Sequence, residues 1–155
     1  MRFPIRPGRA GFTLIELMVA VVVAGILAAV AYPAMTSFIQ RSRRADAAAV
    51  LTTVVQAQER YRSNHATYSD TIGTGGLGLN NISAISQHYD VSLTGVGNPV
   101  SFVSGYVVTA TARSTSPQSR DSECASLSIK LEGAMFSYLS ANSSQADTSS
   151  RCWSH

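Results

Sequence analysis

From Leu17 to Gln40 the chain carries no charged residue, and Leu17 to Val30 reads LMVAVVVAGILAAV, apolar apart from one glycine. Taken from Phe12 to Met35 the stretch covers 24 residues, about 36 Å as an α-helix, which is enough to cross a bilayer with some tilt. A secretory signal peptide competes for the same features: Arg2, Arg6 and Arg9 supply a basic start, and Ala29 and Ala31 imitate a cleavage site. The run exceeds the roughly 7 to 15 apolar residues of such signals. A carboxylate, Glu16, also stands at its start, and an amphipathic helical pattern continues beyond it. A membrane-spanning helix is the expected outcome.

Glu16 is expensive where it stands. A carboxylate at the edge of a hydrocarbon run costs up to about 2 to 3 kcal/mol unless protonated, snorkelling or paired. Its surroundings, RAGFTLIELMV, place a glycine, a phenylalanine and then a glutamate four residues on, ahead of uninterrupted apolar helix. This string resembles the class III signal of type IV prepilins, matching at Gly11, Phe12, Thr13, Leu14, Ile15, Glu16 and Leu17.

The resemblance implies that a membrane aspartyl prepilin peptidase cuts between Gly11 and Phe12 on the cytoplasmic side and methylates the new Phe12 amine. It also implies that Phe12, Thr13 and Glu16 serve assembly. The physics is intelligible: cleavage creates a cation on Phe12, and the carboxylate of a neighbouring subunit neutralises it inside an apolar bundle. At about 4 Å and an effective dielectric near 20, the pairing is worth on the order of 4 kcal/mol before desolvation. Gly25 and Pro33 are the helix's weak points, costing about 1 and about 3 kcal/mol relative to alanine. Either they mark an ordinary membrane-helix kink, or they match the stretch that loses helical order in assembled type IV pili.

Twelve basic and nine acidic side chains give a net charge of +3. Without residues 1–11 the balance is nine against nine, so the excess belongs to the N-terminus and argues little for nucleic-acid binding. Arg2, Arg6 and Arg9 hold the N-terminus inside by the positive-inside tendency, while Arg41, Arg43 and Arg44 pull the other way. Charge counting is a draw, and the cysteines and the resemblance favour an external C-terminal part. Cys124 and Cys152 lack zinc or redox spacing; one bridge, or two buried thiols, are the alternatives. A bridge across 28 positions would stabilise by roughly 3.6 kcal/mol in the loop-entropy picture.

Residues 43–64 contain no proline or glycine. Ala47, Val50, Leu51, Val54, Ala57, Gln58 and Tyr61 share one helical stripe opposite Thr52, Gln56, Glu59 and Arg60. Tyr61, His65, Tyr68 and Asp70 look like a catalytic cluster, but aromatic side chains closing a helix end, with Asn64 as C-cap, is the stronger reading. Residues 71–86, with GTGGLG but no GK[ST], read as a flexible exposed connection rather than a phosphate loop. Period-two patterning predicts strands at His88–Thr94, Phe102–Ala112, Ala125–Leu131 and Ala134–Leu139, with turns at Asn98-Pro99 and Glu132-Gly133.

The expected fold is therefore α+β: a long N-terminal helix, its first half membrane-spanning, packed on a four-stranded antiparallel sheet. The expected divisions are a leader (1–11), the transmembrane and assembly half of the helix (12–40), its amphipathic half (41–64), a loop (65–86), the sheet (87–139) and a C-terminal region (140–155). That last region resembles the disulfide-bound D-region of type IV pilins, and the AQERY phrase and the terminal Cys-Trp resemble the PilE-like minor pilins.

No Ser/His/Asp, Cys/His or metal-ligand spacing is present, so neither a catalytic residue, a metal nor a cofactor is expected. The resemblance implies a structural subunit, a minor rather than a major pilin, supporting pilus biogenesis, twitching motility and adhesion. Its implied partners are other pilin subunits, the peptidase and an inner-membrane assembly platform. Its implied location is the inner membrane as precursor, with an external head, and then the extracellular pilus. A type II secretion pseudopilin is the first alternative. A DNA-uptake pilin is the second, and nucleic acid is an unexpected partner because after Arg62 only Arg113, Arg120, Lys130 and Arg151 face six acids.

Overall fold

A computed structural model describes residues 11–82 and 87–153. Most of the expected leader, residues 83–86 of the expected loop, and the last two residues lie outside the described residues. The chain forms two compact units, one up to Phe38 and one from Ile39 on. Helix α1 (Leu14–Arg62) contributes to both.

The helix begins two residues after Phe12 because Thr13 caps it. The Thr13 hydroxyl accepts the Glu16 N–H at 3.3 Å and the Thr13 carbonyl accepts the Leu17 N–H at 3.2 Å. Among the described residues of the first unit every large apolar side chain is left exposed, from Val23 at 49% to Phe12 at 85%. An 18-residue window reaches a mean hydropathy of 2.7, so this helix is long and apolar enough to cross a membrane. α1 runs through both Gly25 and Pro33.

In the second unit the predicted stripe of α1 is buried: Ala47, Val50, Leu51, Val54, Ala57 and Gln58, with Thr52, Gln56, Glu59 and Arg60 outside. Each fully buried aliphatic side chain contributes about 1.5 to 3 kcal/mol. The helix stops at Arg62, short of the expected Asn64. Its last turn tightens, the Asn64 N–H reaching the Tyr61 carbonyl at 3.1 Å, and the Asn64 side-chain amide meets the Arg60 carbonyl at 3.4 Å.

The stripe faces an antiparallel sheet in the order β1 (Tyr89–Val96), β2 (Ser101–Ala112), β3 (Ser126–Glu132), β4 (Met135–Ala141). Strand ends lie within two residues of their predicted places, and the Ala112 end of β2 coincides. The inward row pairs Tyr106 with Leu131, Val108 with Leu93 and Ile129, and Ala110 with Val91 and Leu127. These side chains form one core with the helix. Gly105 lets β2 and β3 approach, since a Cβ there would stand 2.0 Å from the Leu131 carbonyl oxygen. Gly133, at φ 63°, makes the predicted hairpin turn between β3 and β4.

The glycine-rich connection is not the loose linker its composition suggests. The Leu77 and Leu79 N–H groups bond the Thr71 and Ile72 carbonyls at 3.0 and 2.9 Å, and Ile72, Leu77, Leu79 and Ile82 pack on the core. Leu77 within the glycine run and Ile72, Leu79 and Ile82 beside it hold residues 71–82 to the core, an effect that composition averages away.

Candidate functional site

Gly11, Phe12 and Thr13 lead into α1, which makes Glu16 the third residue of the helix. Thr13-Leu14-Ile15-Glu16 thus has capping-box spacing, a signal present in the string that the intramembrane reading of Glu16 leaves unused. A carboxylate there also faces the positive end of the helix dipole, worth about 0.3 to 1 kcal/mol. Among the described residues the Glu16 carboxylate has no ion-pair partner, although its own N–H is capped. A Cβ at Gly11 or at Gly25 would meet nothing within 4 Å. Neither glycine is required by packing inside its own chain.

The head is fastened to α1 by groups that sequence spacing does not reveal. Arg44 grips Asp121 with two bonds, Nε to Oδ2 at 2.6 Å and NH2 to Oδ1 at 2.7 Å, across 77 positions. Gln118 donates to the same carboxylate at 2.8 Å. Gln118 sits in the short 3-10 turn Pro117–Arg120, which Ser116 caps. Burial pushes the Tyr89 hydroxyl up to about 12, with Asp121 adding to the rise and Gln118, Arg44 and Arg43 opposing it. At the other end, buried Gln58 and Ser69 exchange two bonds, Nε2 to the Ser69 carbonyl at 2.8 Å and the Ser69 N–H to Oε1 at 2.9 Å.

The Tyr61, His65, Tyr68 and Asp70 group does not converge on a centre. Tyr61 stacks on His65 at 3.8 Å, Tyr68 meets Tyr106 edge-on at 5.0 Å, Arg62 lies over Tyr68 at 5.5 Å, and Asp70 accepts from the Thr71 hydroxyl. Burial raises the Tyr106 hydroxyl far above its ordinary value, Glu59 and Tyr68 reinforcing it. Among the described residues no group of three His, Cys, Asp or Glu is placed to hold a metal.

Cys124 and Cys152 form the expected bridge, Cα to Cα 5.8 Å. It ties helix α2 (Ser149–Cys152) to the approach of β3. Beyond it, Trp153 donates its indole N–H to the Leu139 carbonyl at 2.8 Å and meets Tyr138 edge-on at 5.1 Å. The edge strand β4 leaves Met135, Phe136, Tyr138 and Leu139 exposed. Arg151, 71% exposed, touches Glu123 at a loose 3.7 Å.

A family model described as type IV minor pilin ComP, DNA uptake sequence receptor, matches residues 33–128. A second, the prokaryotic N-terminal methylation motif, matches residues 6–32. The chain is 44% identical over 64 residues to the type IV major pilin protein PilA of Myxococcus xanthus, covering 41% of this chain and 29% of that one. It is 35% identical over 96 residues to a type IV major fimbrial protein FimA of Dichelobacter nodosus, covering 57% and 60% respectively. The aligned stretch thus spans from under a third to three-fifths of the length of these curated relatives.

Proposed function

We propose, for a chain that belongs to the type IV minor pilin ComP family and is therefore a type IV pilin subunit, that it enters its filament as a minor component after leader removal. The observation that carries this is the first half of α1: apolar, capped at its start by Thr13, charged only at Glu16, and left exposed among the described residues. Such a surface is satisfied first by lipid and then by the equivalent helices of other pilin subunits. A prepilin peptidase cuts between Gly11 and Phe12 and methylates Phe12, and an assembly platform in the inner membrane receives the subunit with its head on the far side. Phe12, Thr13 and Glu16 then set its register in the bundle, and Gly25 and Pro33 are where the helix yields on packing. The subunit serves pilus biogenesis, and through it twitching motility and adhesion.

The test is the N-terminus of the protein made beside a functional peptidase. N-methylated Phe12 is expected in the mature form, and Gly11→Ala is expected to leave the precursor uncut. Since a Cβ at Gly11 clashes with nothing in the chain, a block there reads the peptidase and not the fold. A mature chain beginning elsewhere than Phe12 sinks the proposal.

A second reading comes from the family's description as a DNA uptake sequence receptor. Three head cations are held by acids at under 3 Å: Arg44 by Asp121, Arg113 by Asp90, Lys130 by Glu132. Arg151 is the most exposed of those with an acidic neighbour, and it lies two residues before Trp153, whose ring meets Tyr138. If DNA binds at this end, Arg151→Ala lowers retention on DNA columns and reduces the salt slope by about one. Absence of salt-sensitive retention in the unmodified protein removes this reading and leaves the filament role intact.

A further inference from the structure

Three arginines stand at positions 41, 43 and 44, directly after the charge-free run, where charge balance across the membrane gives them no purpose. The structure separates them. Arg44 is consumed by Asp121 and is mostly buried. Arg41 is exposed and Arg43 half-buried, and neither has an ion-pair partner among the described residues. The same Arg44–Asp121 grip holds the 3-10 turn Pro117–Arg120 to this part of α1, and Arg120, exposed and next to Asp121 in sequence, ends that turn. Asp46 is the nearby acid not already held by an arginine, and it leaves the patch with a positive excess.

We propose that Arg41, Arg43 and Arg120 form a docking surface for the phosphates of anionic phospholipid headgroups. The proposal rests on the membrane-anchored precursor of the preceding section. Two features select lipid as the occupant. The patch is continuous in sequence with the membrane-crossing run, Arg41 following Phe38 by three residues, about 4.5 Å along a helix. Its chemistry is also that of guanidinium, which meets phosphate oxygens in a two-pronged fork and is less strongly hydrated than an ammonium. Arginines close to an anionic leaflet each shift binding by roughly fivefold at low salt, and the attraction fades within a Debye length. Once a subunit leaves the membrane the headgroups are lost, and the three cations become free to meet acids of neighbouring subunits.

The experiment places the full-length protein in nanodiscs of phosphatidylcholine alone or mixed with phosphatidylglycerol. A paramagnetic headgroup label then reports how close the amides of Ser119, Arg120 and Ser122 come to the surface. Expected is stronger relaxation enhancement in the anionic discs, reversed by high salt. Arg41→Gln/Arg43→Gln/Arg120→Gln should abolish it, and the matching triple lysine variant should largely retain it. Protein that inserts in both discs with equal enhancement overturns the proposal alone, whereas failure to insert in either overturns the membrane reading beneath it. A folding defect in the glutamine variant, seen as a changed amide spectrum, leaves the salt and lysine arms to decide. If the unmodified protein responds to added duplex DNA at these amides and not to anionic lipid, the patch is a nucleic-acid contact and the proposal falls.

Discussion

Asp121 carries more of the head's cohesion than its position in a surface turn suggests. It is 3% exposed and accepts two bonds from Arg44 and one from Gln118. Asp121→Ala strands a partly buried guanidinium and a buried amide, so a loss of about 2 to 4 kcal/mol is expected in urea denaturation of the protein in detergent. Arg113→Ala, which breaks a pair with 72%-exposed Asp90, should cost under about 0.5 kcal/mol. Equal losses would mean that burial does not govern these pairs. Tyr89 and Tyr106 make a pH prediction at the same scale. Burial raises both hydroxyls from 10.0, that of Tyr89 to about 12, so the folded state resists ionisation that the unfolded state accepts. Stability from this source is complete below about pH 10 and is lost as pH rises toward 12. Alkaline titration should show tyrosinate absorbance appearing in two stages, the later one coincident with loss of the folded circular-dichroism signal.

Among the elements, the C-terminal tail is the one whose order depends on a single covalent tie. A polar, serine-rich segment ending a chain ordinarily frays. Here Cys152 is bridged to Cys124, and the Trp153 indole then reaches the Leu139 carbonyl. Cys124→Ser/Cys152→Ser is expected to lower stability by roughly 3 to 4 kcal/mol and to shift the emission of Trp153, the lone tryptophan of the chain, to the red. Unchanged emission would show that the tail docks without the bridge. Elements were legible in proportion to how local their signals are. The Ala47-to-Gln58 stripe and the four strands follow from periodicities of 3.6 and 2, which any window of the string displays. The Arg44–Asp121 grip and the Gln58–Ser69 exchange do not, because nothing in the spacing of charges or amides says which of them the fold brings together. The glycine loop misleads for a related reason: its glycines are visible singly, while the packing of Ile72, Leu77 and Leu79 requires the core to exist first.

At the scale of the molecule, two candidate roles fall on Glu16. As the third helical residue it has the spacing of a capping box with Thr13, whose hydroxyl accepts its backbone N–H, and as a carboxylate without an ion-pair partner among the described residues it is the group proposed to meet the amine of a neighbouring Phe12. The first role was readable as T-x-x-E and the second as an intramembrane acid, yet the string does not say which one assembly uses. Glutamine separates them, because its amide serves at the third position of a capping box while carrying no charge. Glu16→Gln and Glu16→Ala are both expected to be cleaved at Phe12, since neither touches the Gly11–Phe12 bond. If the charge sets register, both enter sheared pili at a small fraction of the unmodified level, as an uncompensated amine buried in an apolar bundle costs several kcal/mol for either substitution. If the helix start is what matters, Glu16→Gln assembles normally and Glu16→Ala alone fails. Immunoblotting of sheared filaments against the membrane pool reads the difference directly, and normal incorporation of the glutamine variant would retire the charge-pairing account while leaving the fold and the pilin role untouched.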